Sequence, residues 1–288
     1  RRQRQMCIRD SSMPVKIKAF LKLIRWFHEL VAILPFLCLY LVIEFFANVN
    51  HVDSSISGFD FTILCICVQI LIASGCVLND IVDRNIDKIN KPNTHVINNH
   101  ISLKGARIIF VILTLLAGIL SAYISVFVFY QWAYISIAVY ILSLMYDFYF
   151  KQSPLIGNVL IALLTSFIPL VLFFFAAEGI AKLNNEKIEV LIYLFAAFPF
   201  LIIVPRELSL DISDIEGDEA CGCKTLPILI GVKKSKSIVM AFLLFIVLLS
   251  IPLALAYSYL TMSLVLVDLM LFTYIYKLKN TTARIEYI

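Results

Sequence analysis

Eight stretches of predominantly apolar residues, at 27–47, 59–79, 106–128, 132–149, 156–177, 188–208, 236–257 and 259–277, fill most of this chain. Each is about as long as a helix needs to cross a hydrocarbon core of roughly 30 Å. Only helices and closed barrels satisfy every backbone polar group in lipid, and runs this continuous, without strict alternation, predict helices. The overall balance agrees. Hydrophobic residues make up 61% of the chain and charged residues 15%, against about 45–50% and about 25% in a soluble domain. The expected fold is therefore all-α, a polytopic transmembrane bundle of eight spans. Gly58, the Pro154–Gly157 segment, Gly231 and the Tyr257–Thr261 turn punctuate it.

Charge placement gives the bundle an orientation. Met13–Trp26 carries Lys16, Lys18, Lys22 and Arg25 among apolar residues and reads as an amphipathic helix on the membrane surface. Of the twenty lysines and arginines after residue 12, only Lys182 and Lys187 lie between spans five and six. The others fall before span one, after span eight, or at the loops that join even to odd spans. Positive charge marks the cytoplasmic side, so the N-terminus and those loops are expected there, in a plasma membrane of the bacterial inner-membrane kind. Arg1, Arg2, Arg4 and Arg9 supply most of the formal net charge of +4, which leaves no case for a nucleic-acid partner. Residues 1–12, RRQRQMCIRDSS, resemble translated adapter sequence, and residues 13–288 are expected to form one transmembrane domain, with either a chain cut short after Arg284 or a merged span left open. Four of the seven cysteines lie in apolar runs, and Cys221 and Cys223 read as free thiols rather than half of a metal site.

Against this background one stretch stands out: Asn79-Asp80-Ile81-Val82-Asp83-Arg84-Asn85-Ile86-Asp87, at the cytoplasmic end of span two. At helical spacing, Asp80, Asp83 and Asp87 fall within an arc of roughly 60°. Like charges so close to lipid repel and are costly, so a cation is expected among them. The same spacing returns as Asp211, Asp214 and Asp218 at the end of span six. Spans one to four and five to eight thus read as two halves of a tandem repeat, each with its own acidic motif, around a central cavity. Such hard oxygen ligands suit Mg2+, which combines one or two carboxylates with phosphate oxygens. Arg84, Lys88, Lys91, Lys151, Arg206 and Lys224 supply cations suited to a diphosphate, and Asn79 offers an amide oxygen to the metal.

The segments NDIVDRNIDKINKP and DISDIEGDEACGCKTLPILIG, with Tyr146-Asp-Phe-Tyr-Phe-Lys151 and Pro154-Leu-Ile-Gly157-Asn158 between them, resemble the UbiA family of intramembrane prenyltransferases. The resemblance runs from about residue 16 to the end. It implies nine transmembrane helices around a cavity open to lipid. It also implies Mg2+ held by Asn79, Asp80, Asp83 and Asp87 on one side and by Asp211, Asp214 and Asp218 on the other. Arg84, Lys151 and Tyr146 would steady the diphosphate, with Lys91, Asn158, Arg206 and Lys224 as further donor contacts. The donor would be a polyprenyl diphosphate, and the acceptor an aromatic quinone precursor or a glycerol-phosphate-type lipid hydroxyl. The chain departs from family patterns at Asn93-Thr94-His95, and its first span lacks the Arg-Pro-x-Asn signature of several aromatic-ring enzymes. The Asn79–Pro92 segment is more similar to the geranylgeranylglycerol-phosphate transferases. Glu29, beside His28, reads first as snorkelling to water or pairing with Arg25, and otherwise as the candidate acceptor contact or proton acceptor, whereas Glu44 and Asp268 read as structural. The alternative is a cation-coupled transporter, which would set its charges near the midplane in broken helices.

Overall fold

The structure is a computed structural model that describes residues 13–53, 56–92, 94–183, 186–256 and 270–271. The described residues form helices, with a single isolated bridge between Ile97 and Ile101. In chain order these are α1 (Met13–Leu23), α2 (Trp26–Val49), α3 (Gly58–Val82), α4 (Arg84–Asn90), α5 (Leu103–Phe127) and α6 (Trp132–Met145). A π-helical turn (Tyr146–Phe150) follows, then α7 (Ile156–Leu183), α8 (Glu186–Ser213), α9 (Ile215–Ala220), α10 (Leu226–Ile230) and α11 (Val232–Ala256). Seven stretches among the described residues are long and apolar enough to cross a membrane: Ala32–Val49, Gly58–Val82, Leu103–Phe127, Trp132–Phe150, Ile156–Ala176, Ile192–Ser213 and Val232–Pro252. They coincide with the first seven expected spans. The eighth, at 259–277, lies outside the described residues apart from 270–271, as does the leader.

Contacts group the chain into two compact units. The first comprises the residues up to Phe148 together with Ser166–Ala196; the second comprises Tyr149–Thr165 and the residues from Ala197 onward.

In the first unit, α3 starts where the Ser57 hydroxyl accepts from the Asp60 N–H at 3.1 Å, and α5 where Ser102 does the same for Gly105 at 3.1 Å. Each cap satisfies a donor that has no partner within its own helix. The inward face of α3 carries Phe61, Leu64, Cys65 and Val68, then Ser74, Val77, Leu78 and Ile81, a three-and-four spacing that lines one helical stripe. Phe36, Leu39 and Ile43 of α2 pack against its first half, joined by Trp132 and Phe175. The Tyr40 ring stacks on Phe61 at 3.8 Å between centroids. Because lipid is as apolar as these side chains, close packing and not the hydrophobic effect holds the helices together. Accordingly α5 turns small Ala106 and Ala117 inward, and leaves Ile108, Val111, Leu115, Ile119 and Val126 more than half exposed, as a lipid-facing stripe requires. The amphipathic α1 tucks Ala19 and Leu23 against Val77, Ile81 and Ala106, while its lysines stay exposed. Lys22 donates to the Thr94 carbonyl at 2.5 Å.

The second unit is built on the end of α8. Leu208 and Ile212 pack with Leu226 of α10 and with Val239, Leu243 and Ile246 of α11. Gly231, at φ 85°, lets α10 turn directly into α11.

Candidate active site

Both acidic motifs bend at their middle aspartate. Asp83 separates α3 from α4, and Asp214 separates α8 from α9. At both bends the amides of the middle and last aspartates keep bonds of helical spacing. The Asp83 and Asp87 amides donate four residues back to Asn79 and Asp83 at 2.9 and 2.8 Å, and those of Asp214 and Asp218 to Leu210 and Asp214 at 2.9 and 3.1 Å. Asp83 and Asp218 are buried.

At the first motif the expected cation is present, and it comes from the chain itself. Arg25 sits between α1 and α2 with left-handed backbone angles of φ 52° and ψ 44°. Its Nη2 lies 2.9 Å from Asn79 Oδ1 and 3.0 Å from Asp80 Oδ1. The other end of the Asn79 amide is held too, since Nδ2 donates to Asp147 Oδ1 at 3.1 Å. Asp147 lies in the π-helical turn and is 3% exposed. Lys91 pairs with Asp87 at 3.3 Å across one helical turn, and Arg84 donates to the Ile81 carbonyl at 3.1 Å. Tyr146, half-buried, opens the π-helical turn, and Lys88 is exposed.

At the second motif Asn158 performs the same service for an aspartate. Its Nδ2 donates to Asp211 Oδ2 at 2.8 Å. Asn158 is buried in the first turn of α7, just after Gly157, where an added Cβ would stand 2.7 Å from the Phe150 carbonyl oxygen. That contact explains the glycine: the chain around Phe150 and Lys151 passes too close for any side chain. The Lys224 amide donates to the Gln152 carbonyl at 3.0 Å, and the Cys223 amide to that of Asp218 at 2.9 Å. These bonds tie the Lys151 loop and the exposed Lys224 to the second motif. Lys151, Glu207 and Asp218 are the charged groups acting on Asp211. Arg206 is paired with Glu207 beside it.

Sequence reasoning overlooked Arg25 as a partner of the motif, together with Asp147 and Glu207. An aspartate in the apolar tail of span four was itself a signal, because an intramembrane carboxylate calls for a partner. The side chain of Glu29 and all of Asp268 lie outside the described residues. Glu44 has a buried Oε1 without a hydrogen-bond partner. Cys221 is exposed, Cys223 is buried, and neither forms a disulfide.

Among the described residues no three His, Cys, Asp or Glu side chains close around one point. Mg2+ does not demand such a cage, since it keeps waters and takes phosphate oxygens beside one or two carboxylates. The pair Asn79 Oδ1 and Asp80 Oδ1, already converged on one cationic nitrogen, fits that pattern.

Fold and site together define a polytopic helical membrane protein with an acidic motif at the end of each of two spans. A sequence model of the UbiA prenyltransferase family matches residues 30–285. The chain belongs to that family. It is 36% identical over 173 residues to the digeranylgeranylglyceryl phosphate synthase of Pyrococcus horikoshii, covering 59% of this chain and 56% of that protein. The Methanococcus aeolicus protein of the same name is 33% identical over 238 residues, covering 83% of this chain and 77% of its own length. The chain thus spans little more than half the length of several of the curated relatives it matches. Among solved structures, one described as a digeranylgeranylglyceryl phosphate synthase in membranes aligns with a TM-score of 0.55 at 26% identity, over 92% of this chain and 86% of that one. A UbiA homologue from Archaeoglobus fulgidus, bound to GPP and Mg2+, aligns with a TM-score of 0.62 at 18% identity, over 94% and 91%, and shares the fold.

Proposed function

We propose that this protein moves a polyprenyl group from an allylic diphosphate to the hydroxyl of a glycerol-phosphate-type lipid, with Mg2+ as cofactor. The observation that carries the proposal is the convergence of Asn79 Oδ1 and Asp80 Oδ1 on one cation at the end of a membrane span. The names of the relatives support the acceptor class, and the GPP and Mg2+ bound by the Archaeoglobus homologue support the donor and the metal. An aromatic quinone precursor, the other acceptor class the motifs allow, has no such support.

Asn79, Asp80, Asp83 and Asp87, with Asp211, Asp214 and Asp218, are the residues that would hold Mg2+. When bound, the ion neutralises charge growing on the leaving diphosphate. Lys151, Arg84, Lys91, Arg206 and Lys224 add positive charge to the same oxygens, and Tyr146 and Asn158 add polar contacts. Arg206 and Lys91 must trade Glu207 and Asp87 for phosphate to do so. The allylic C–O bond then breaks, and its electron pair leaves with the diphosphate. The acceptor hydroxyl oxygen forms the new C–O bond and gives up its proton, for which Glu29 is the candidate acceptor. The apolar spans keep water from capturing the allylic cation first. The lysine and arginine bias supports placing both motifs at the cytoplasmic face of a plasma membrane.

The test is to supply purified protein with labelled geranylgeranyl diphosphate, Mg2+, and a panel of glycerol-phosphate lipids and aromatic quinone precursors. Transfer to the lipid hydroxyl, lost in Asp83→Ala and Asp214→Ala, is expected. Transfer to an aromatic ring alone would replace the acceptor. Absence of both transfer and motif-dependent diphosphate release would overturn the enzyme assignment, and solute uptake into proteoliposomes would point to a transporter.

A further inference from the structure

Asp147 is a carboxylate with almost no exposure, in a span that is otherwise apolar. Burial of such a group is costly unless it is paired by hydrogen bonds. One of its bonds runs to the amide nitrogen of Asn79, the residue whose amide oxygen meets Arg25. A carboxamide has an acceptor end and a donor end, and only the acceptor end can face a cation. Turned over, Asn79 would aim its NH2 group at the cation and its oxygen at the Asp147 carboxylate, so both contacts would become repulsive. Asp147 therefore selects the one orientation in which Asn79 is useful. Its place in a π-helical turn agrees, since such turns recur at functional positions in helices.

We propose that Asp147 is a positioning residue for the cation site at the first motif: by accepting from Asn79 Nδ2, it aims Asn79 Oδ1 at the metal. The proposal rests on the assignment of Asn79 and Asp80 as Mg2+ ligands. Partners of this kind orient a ligand without touching the metal, and their loss weakens metal affinity by about 10–100-fold.

The experiment measures Mn2+ affinity by electron paramagnetic resonance on the full chain in detergent, as Mn2+ shares the oxygen-rich octahedral preference of Mg2+. Wild type is compared with Asp80→Ala, Asp147→Ala, Asp147→Asn, Asn79→Asp and the exchanged pair Asn79→Asp/Asp147→Asn, each checked by thermal melting. Asp147→Ala is expected to weaken Mn2+ binding by about 10–100-fold. Asp147→Asn, which still accepts from Asn79, is expected to stay much closer to wild type than Asp147→Ala does. Asn79→Asp sets two carboxylates face to face and is expected to bind weakly, and the exchanged pair restores the bond in reverse and recovers binding. Wild-type affinity in Asp147→Ala would overturn the positioning role and leave the metal assignment standing, and so would a loss in Asp147→Asn as deep as that in Asp147→Ala. Should Asp147→Ala fail to fold, recovery in the exchanged pair decides for the proposal and failure to recover decides against it. Mn2+ binding that is absent from wild type, or indifferent to Asp80→Ala, would overturn the metal assignment and the positioning role together.

Discussion

Asp211 and Asn79 show how single side chains make an acidic motif tolerable beside lipid. Each has one polar neighbour that satisfies it: Asn158 for Asp211, and Asp147 for the nitrogen end of Asn79. The consequence is clearest at Asn158. Replacing it with alanine leaves a half-buried carboxylate without its amide donor, at a cost of about 1–3 kcal/mol. Asn158→Ala is expected to lower the melting temperature in detergent together with prenyl transfer, and an unchanged melt would remove Asn158 from this role. These partners were hard to find from sequence because they lie far from the motif they serve. Asp147 stands 68 positions from Asn79, and Asn158 stands 53 from Asp211. Asn158 was legible through its Pro-x-x-Gly-Asn setting, whereas Asp147 sat unremarked inside a motif read for its tyrosine and lysine.

At the level of elements, the first seven spans were legible almost to their ends, because the bilayer sets a minimum length and tolerates few charges within it. The bends were not. Neither Asp83 nor Asp214 is a glycine or proline, so nothing local announced them. Gly157 is the sharpest test of how the loop before α7 is built. Gly157→Ala forces its methyl against the Phe150 carbonyl and the Lys151 backbone, an overpacking that costs about 1–3 kcal/mol. A shift of about 1 Å in a positioning element can lower a rate by roughly 100-fold, so transfer is expected to fall further than stability. Gly118→Ala, on the open face of α5 with nothing within 4 Å, is the control. There the gain in helix preference is about 0.5–1 kcal/mol, and the melt should rise slightly with activity intact.

For the molecule as a whole, the test is whether the two copies of the motif act together. If both serve one donor, Asp83→Ala and Asp214→Ala are each expected to lower kcat by about 10²–10³-fold, as loss of one stabilising group does elsewhere. Their combination should cost little more than the worse single change, as is usual for residues acting as a unit. Fully additive losses in the double variant would show that the copies act separately. Chelation with EDTA is expected to abolish transfer, with Mg2+ or Mn2+ restoring it. Activity that survives chelation would remove the metal from the mechanism.

Hydropathy, charge bias and the spacing of six aspartates were enough to establish a helical membrane protein and to locate its acidic motifs, because those properties depend on local composition and on the solvent around the chain. Which atoms meet the motifs depends on contacts between residues distant in sequence. That Arg25 caps Asn79 and Asp80, that Asp147 orients Asn79, and that Asn158 satisfies Asp211 follows from how the helices pack. Periodicity tells a helix which face to bury, but it carries no record of the residue waiting on the other side.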